Sequence, residues 1–226
     1  MRHELKYILT PVQYVLLQRR LKWMLKPDEH ASSSGEYFIR SIYFDSPDRI
    51  ALKEKIDGVN KRKKYRIRFY SGDAGCCRLE WKEKDGTRIT KTSQVLTPEQ
   101  TDMLLSAKSA MPRAKESLFD ELSMRICSEG FEPVVTVDYL REAYVLPFSD
   151  LRITFDKSIA WGHVEGCLTH ERYPANIYGD GVVLEVKYNE YIPEHISGMI
   201  ASVRPVQTAA SKYAACMSAR FEVSGR

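Results

Sequence analysis

Charged and apolar side chains alternate residue by residue through several short segments of this chain. In Tyr65-Arg66-Ile67-Arg68-Phe69, Arg66 and Arg68 share one side while Tyr65, Ile67 and Phe69 share the other. Leu79-Glu80-Trp81-Lys82-Glu83-Lys84 likewise sets Glu80, Lys82 and Lys84 together. Residues i and i+2 of a strand point to the same face. Such segments read as strands with a core on one side and ordered cations on the other, an arrangement suited to holding a polyanion. A solvated outer face gives the same pattern in any single strand, so the argument rests on repetition.

The pattern does repeat. Glu4 and Lys6 share a face of His3-Glu4-Leu5-Lys6, Arg141 ends the apolar run Val137–Arg141, and Arg152 lies inside Leu151–Phe155. Val182–Tyr188 carries Glu185 and Lys187 on one face of an otherwise apolar strand. A Glu and a Lys in such a run must pair with each other or face a polar lumen. Six strands of this kind are hard to explain as independent wet faces. Together they describe a closed or nearly closed barrel whose lumen is lined with Lys and Arg plus two or three Glu, an arrangement that also removes exposed edges.

Net charge over the 226 residues is only +4, but Lys61 to Lys91 holds 11 Lys and Arg against 4 acids. Concentrated charge of this kind suits a focused anion site. Five cysteines without C-x-x-C spacing argue against a disulfide framework or a zinc site and fit a reducing cytoplasm. No run approaches the roughly 20 apolar residues of a membrane span, and no signal peptide opens the chain, so a soluble cytoplasmic protein is expected. Paired histidines, a Ser-His-Asp set and a G-x-x-x-x-G-K loop are all absent.

Thr10-Pro11 and Thr97-Pro98 each read as an N-cap followed by proline at the first helical position. The first helix is given an apolar stripe of Val12, Val15, Leu16, Leu21, Met24 and Leu25, and ends at Pro27. Further helices are expected over 47–56, 115–128, 193–203 and 208–221, and strands over 2–8, 37–45, 63–70, 78–84, 87–92, 133–146, 151–155 and 182–188. Gly72–Gly75 and Asp85-Gly86 read as turns, the second a hairpin signal; Lys61–Lys64 reads as a solvated turn or a tunnel rim. Arg40 shares parity with Ile42 and Phe44, which leaves its facing open. With no repeat or linker, residues 1–226 read as one α+β domain dominated by antiparallel strands.

Arg2–Tyr7, Ile39–Asp45, Lys55–Val59, Lys64–Arg68, Leu79–Lys84, Leu151–Asp156, Leu184–Lys187 and Ser211–Tyr213, in that order, resemble the VTC domain. That is the polyphosphate polymerase domain of the triphosphate tunnel metalloenzyme (CYTH-like) superfamily. The resemblance implies an antiparallel β-barrel tunnel with flanking helices, binding ATP, another triphosphate or polyphosphate with Mn²⁺ or Mg²⁺. It implies that Lys6, Arg66, Arg68, Lys82, Lys91, Arg141 and Arg152 stand at phosphate-binding positions, with Ser211 and Lys212 on a C-terminal helix that contacts phosphate. It makes Glu185 the metal-binding glutamate, with Glu80 and Glu4 as further metal-shell candidates. Lys84 and Lys187 join the phosphate-binding set by their alternation. Two departures stand out: Arg2 replaces the first Glu of the Glu-x-Glu-x-Lys of tunnel triphosphatases, and Ala209-Ala210 stand where polymerases often carry a further Lys. The first departure favours the VTC-like reading over a hydrolytic one.

The expected activity is transfer of a terminal phosphoryl group from a nucleotide to a growing polyphosphate. Such chemistry needs charge neutralisation and positioning more than covalent help. Rivals are a triphosphatase of the same fold, a non-catalytic polyphosphate or inositol-phosphate module, and an RNA surface built on Lys61–Arg68 with Tyr65 and Tyr70. No nucleic-acid partner is expected, and recruitment by a membrane-bound partner stays open.

Overall fold

The computed structural model describes residues 3–29, 31, 34–70, 77–86, 88–108, 110–112, 114–168, 173 and 176–224. Arg2, Cys76 and the expected Gly72–Gly75 turn lie outside the described residues. In chain order come β1 (His3–Leu9), α1 (Pro11–Leu21), β2 (Lys26–Pro27), β3 (Glu36–Asp45), α2 (Ile50–Ile56), β4 (Lys61–Tyr70), β5 (Cys77–Asp85) and β6 (Arg88–Leu96). There follow α3 (Pro98–Leu105), α4 (Leu118–Glu129), β7 (Glu132–Val145), β8 (Arg152–Gly162), β9 (Val182–Tyr188), α5 (Glu194–Ser202), β10 (Val206–Gln207) and α6 (Lys212–Ser224). The chain forms two compact units, one of Met1–Phe38, Tyr139–Ile159 and Ala175–Ser211, the other of Ile39–Asp138, Ala160–Pro174 and Lys212–Arg226.

In the first unit the strands run β10-β1-β9-β8-β7, with β2 also on β7. Antiparallel register sets Lys6 opposite Glu185 and Glu4 opposite Lys187, and on the other side of β9 it sets Arg152 opposite Lys187 and Thr154 opposite Glu185. The apolar faces of β8 and β9 (Ile153, Phe155, Leu184, Val186) bury with Ile196 and Ile200 of α5 and Leu17, Leu21 and Leu25 from α1 and its trailing turn. Each such aliphatic side chain contributes about 1.5–3 kcal/mol on burial.

Helix α1 starts as the sequence predicts, with a Thr10–Gln13 capping box and Pro11 in its first turn. Its buried stripe differs from the expected one. Leu17, Leu21 and Leu25 are inside, whereas Val12, Val15, Leu16 and Met24 are exposed. Two apolar stripes one residue apart both satisfy a 3.6-residue period, and packing selects the one centred on Leu17.

In the second unit β3-β4-β5-β6 form an antiparallel meander. Its core joins Phe44, Tyr65, Ile67, Leu79 and Leu96 to Leu104 of α3 and Leu118, Leu122 and Ile126 of α4. The Asp85-Gly86 signal does close β5 onto β6: Asp85 pairs with Arg88, and Gly86 takes φ +57°, a left-handed conformation that glycine adopts without a Cβ penalty. Helix α4 opens on a Ser117–Asp120 capping box and stops at Gly130, whose φ is +66°.

Several boundaries shift. Lys61–Lys64 is not a turn but the start of β4, with Lys61 paired to Asp85. Arg141 lies inside β7 rather than at its end, β8 continues to Gly162, and α6 begins at Lys212. Among the described residues β6 pairs with β5 alone, and most of it is exposed. No helix of the described residues is long and apolar enough to cross a membrane.

Candidate functional site

The second unit gathers cations around one buried carboxylate. Glu80 projects from β5 on the face opposite Leu79, directly across from Arg66. Arg66 meets Glu80 at 2.7 Å, Lys91 reaches its other oxygen at 2.6 Å, and Arg68 stands 3.5 Å away. Burial would raise the Glu80 carboxyl, but Arg66, Arg68 and Lys91 together lower it to about 2. The Lys91 ammonium is lowered, chiefly by burial and by the neighbouring Arg66 and Arg68, against the pull of Glu80. Tyr43 accepts a hydrogen bond from Arg66, while Ser41 and Tyr70 accept from Arg68.

Strand register adds a second feature on the same face. Lys64 of β4 pairs with Lys82 of β5, which pairs in turn with Lys91 of β6. Three lysines therefore stand abreast across three strands. Like charges directly opposite each other do not attract, and an anion laid across the row would meet three ammonium groups at once. Lys84 follows on the same face, opposite Arg62 and Ile89.

The first unit holds the counterpart around Glu185, which is buried on β9. Lys187 lies 3.1 Å from it, Lys6 3.6 Å and Arg141 3.8 Å. Lys6 is also 3.2 Å from Glu4 and donates to the Ala210 carbonyl, tying β1 to the segment before Ser211. Burial lowers the Lys187 ammonium to about 8, with Arg141 adding to the effect and Glu185 opposing it. Arg141 grips Asp156 through Nε and a terminal nitrogen at 2.7 and 2.8 Å. Arg152 reaches Asp28 at 3.0 Å and donates to the Tyr37 hydroxyl. Its Nε and the hydroxyl of Thr154 are buried without a hydrogen-bond partner. Buried polar groups of this kind call for a ligand or water.

Lys64, Tyr43, Asp156, Asp28 and Tyr37 are not among the expected site residues. Parity with Arg66 would have found Lys64, and parity with Arg152 would have found Asp156. Asp28 and Tyr37 carry no such signal, because only packing brings them to Arg152. Arg40 takes the core side, its guanidinium paired to buried Asp138 at 2.7 Å. Lys212 opens α6, and the next residue fixes that helix. The Tyr213 phenol donates to Asp45, its ring stacks 5.0 Å from Tyr43, and Lys64 lies 5.2 Å over it. Tyr65 is buried and donates to Glu121, so it offers no face for a nucleic-acid base.

A divalent cation of the Mg²⁺ or Mn²⁺ kind needs oxygen donors that converge. Among the described residues no three acidic, histidine or cysteine side chains converge on one point. Glu185 and Glu4 do converge on the Lys6 ammonium. Two carboxylates fit a hard cation that takes its remaining oxygens from phosphate and water. Glu80, occupied by three cations in the other unit, is the poorer candidate.

The family model described as VTC domain matches residues 1–221. No curated protein matches the chain. Among solved structures, a Hippeastrum adenylyl cyclase candidate described as having a dominant triphosphatase activity is similar over 97% of this chain and 96% of its own, at 17% identity and a TM-score of 0.59. An adenylate cyclase candidate from Bacillus halodurans is similar over 92% and 93%, at 15% identity and a TM-score of 0.54. A Pyrococcus horikoshii protein is similar over 98% and 99%, also at 15% identity and 0.54. These likenesses place the antiparallel sheet and its flanking helices in the triphosphate tunnel fold.

Proposed function

The chain belongs to the VTC domain family, and from that premise we propose that it is a polyphosphate polymerase-like phosphotransferase acting on ATP or another triphosphate. The observation that carries this reading is the row Lys64–Lys82–Lys91, which strand register sets beside Arg66 and Arg68 on one sheet face. A triphosphate brings about four negative charges to such a face, where Arg supplies forked donors and Lys supplies point charges.

In the proposed reaction a terminal oxygen of the acceptor polyphosphate attacks the γ-phosphorus of the nucleotide. The bond to the β–γ bridging oxygen breaks, the nucleoside diphosphate leaves with that electron pair, and the polymer gains one phosphate. Arg66, Arg68 and Lys82 hold non-bridging oxygens as charge shifts towards the leaving group. Arg141 and Arg152 do the same in the first unit, with Asp156 and Asp28 fixing their planes. Lys6, Lys84, Lys91, Lys187, Ser211 and Lys212 position the donor or the acceptor end. Glu185, helped by Glu4, is the residue to hold Mg²⁺ or Mn²⁺, which when bound neutralises phosphate oxygens.

A second reading puts water in place of the acceptor, and the triphosphatase activity stated for the Hippeastrum protein of this fold favours it. Incubation with ATP and Mn²⁺ or Mg²⁺, resolving polymer from free phosphate on a gel, separates the two. Polymer supports the phosphotransferase; free phosphate alone supports hydrolysis; tight tripolyphosphate binding without turnover leaves a binding module. Activity that survives both Arg66→Ala and Glu185→Ala would remove the assignment altogether.

A further inference from the structure

The core of the first unit leaves one face of α1 without a partner. Val12 is 69% exposed and Trp23 90%, and Val15, Leu16 and Met24 are exposed with them. Past Leu21 the chain closes in a turn, with the Trp23 amide bonded to the Arg20 carbonyl and the Met24 amide to that of Leu21, so Trp23 stands in the turn that ends the helix. At 100° per residue Val12 and Leu16 fall within about 40° of one another on α1, and Trp23 is exposed in the turn that follows them. Exposed Arg19, Arg20, Lys22 and Lys26 surround them, and no acid occurs from Leu5 to Pro27. Beside the helix, Gln13 donates to the Val203 and Arg204 carbonyls, which brings exposed Arg204 and Val206 alongside.

We propose that this face docks the protein onto an anionic lipid bilayer. Charge complementarity selects the partner: cations without acids, ranged around apolar side chains, match negative headgroups above acyl chains. The shape agrees. Val12 and Leu16 on α1 and Trp23 in the turn after it stand out from a convex surface, as shallow insertion needs, and Trp favours the headgroup level. Arg19 and Lys22 have stems long enough to lie along the apolar boundary with their charges in water. None of these residues belongs to the phosphate-binding clusters, so the docking is independent of the proposed reaction.

The test is co-sedimentation of the whole chain with phosphatidylcholine vesicles, with and without phosphatidylserine, in saturating tripolyphosphate to occupy the phosphate clusters. Binding is expected only with phosphatidylserine, together with a blue shift in fluorescence that Trp23→Phe removes. Arg19→Gln with Lys22→Gln should weaken partitioning about 25-fold, at about fivefold for each cation near the surface. All three substitutions are at exposed positions, and an unchanged melting temperature verifies folding. Failure to bind, partitioning undiminished by Arg19→Gln with Lys22→Gln, or binding abolished by tripolyphosphate would each overturn the proposal. So would equal binding to an acidic polypeptide without the Trp23 shift, which would mark a protein-docking face instead.

Discussion

Replacing Glu80 by Gln should destabilise the protein by an amount that fades in acid. Glu80 titrates at about 2 in the folded protein against an ordinary 4.5, and only 4% of its side chain is exposed. Its folded value is depressed, so its stabilisation is present above 4.5 and is lost as pH falls towards 2. At about 1.4 kcal/mol per unit the full contribution is about 3 kcal/mol at pH 7, of which about 2 kcal/mol is gone by pH 3. Urea unfolding of both proteins from about pH 7 to pH 3 measures the difference, in which the titration of all other carboxylates cancels. The gap should narrow steadily below about pH 4.5. A gap that is flat with pH would mean that Glu80 is not held by Arg66, Arg68 and Lys91 as described. Tripolyphosphate should narrow the gap too, because its oxygens replace the lost carboxylate among those cations.

Lys187, lowered to about 8, is charged below that value and neutral above it. Tripolyphosphate affinity measured by titration calorimetry should therefore fall between about pH 7 and pH 9, and Lys187→Gln should flatten the decline. Asp156→Ala leaves the Arg141 guanidinium buried without its bidentate partner; chemical denaturation should show a loss of about 3–5 kcal/mol. Gly86→Ala meets nothing within 4 Å but inherits φ +57°, so a loss of about 1 kcal/mol should appear in thermal unfolding with ligand binding unchanged.

The two clusters differ in what they ask of a ligand. Around Glu185 the cations Lys6, Lys187, Arg141 and Arg152 are matched by Glu4, Glu185, Asp156 and Asp28, which orient them. Around Glu80 the cations Arg66, Arg68 and Lys91 converge on a single buried carboxylate, with Lys64 and Lys82 on the same face. The first arrangement fixes each cation against a carboxylate, while the second gathers several cations at one.

The alternation around Arg66, Glu80, Arg152 and Glu185 was legible from the sequence because facing in a strand is a local property of the backbone with period two. Helix starts at Thr10 and Thr97 were legible for the same reason: a capping side chain bonds within its own first turn. Register was not. That Lys64 lies beside Lys82 and Lys82 beside Lys91 depends on where each hairpin turns and on which core residues must coincide, and slipping a strand by one residue would send every one of these side chains to the other face. The partners Asp28 and Tyr37 were hidden likewise, since they come from segments far from Arg152 in the chain. In α1 two apolar stripes lie one residue apart, and the helical period permits either inside. Packing against β8, β9 and α5 chose Leu17, Leu21 and Leu25, and so left Val12, Leu16 and Trp23 facing solvent among cations.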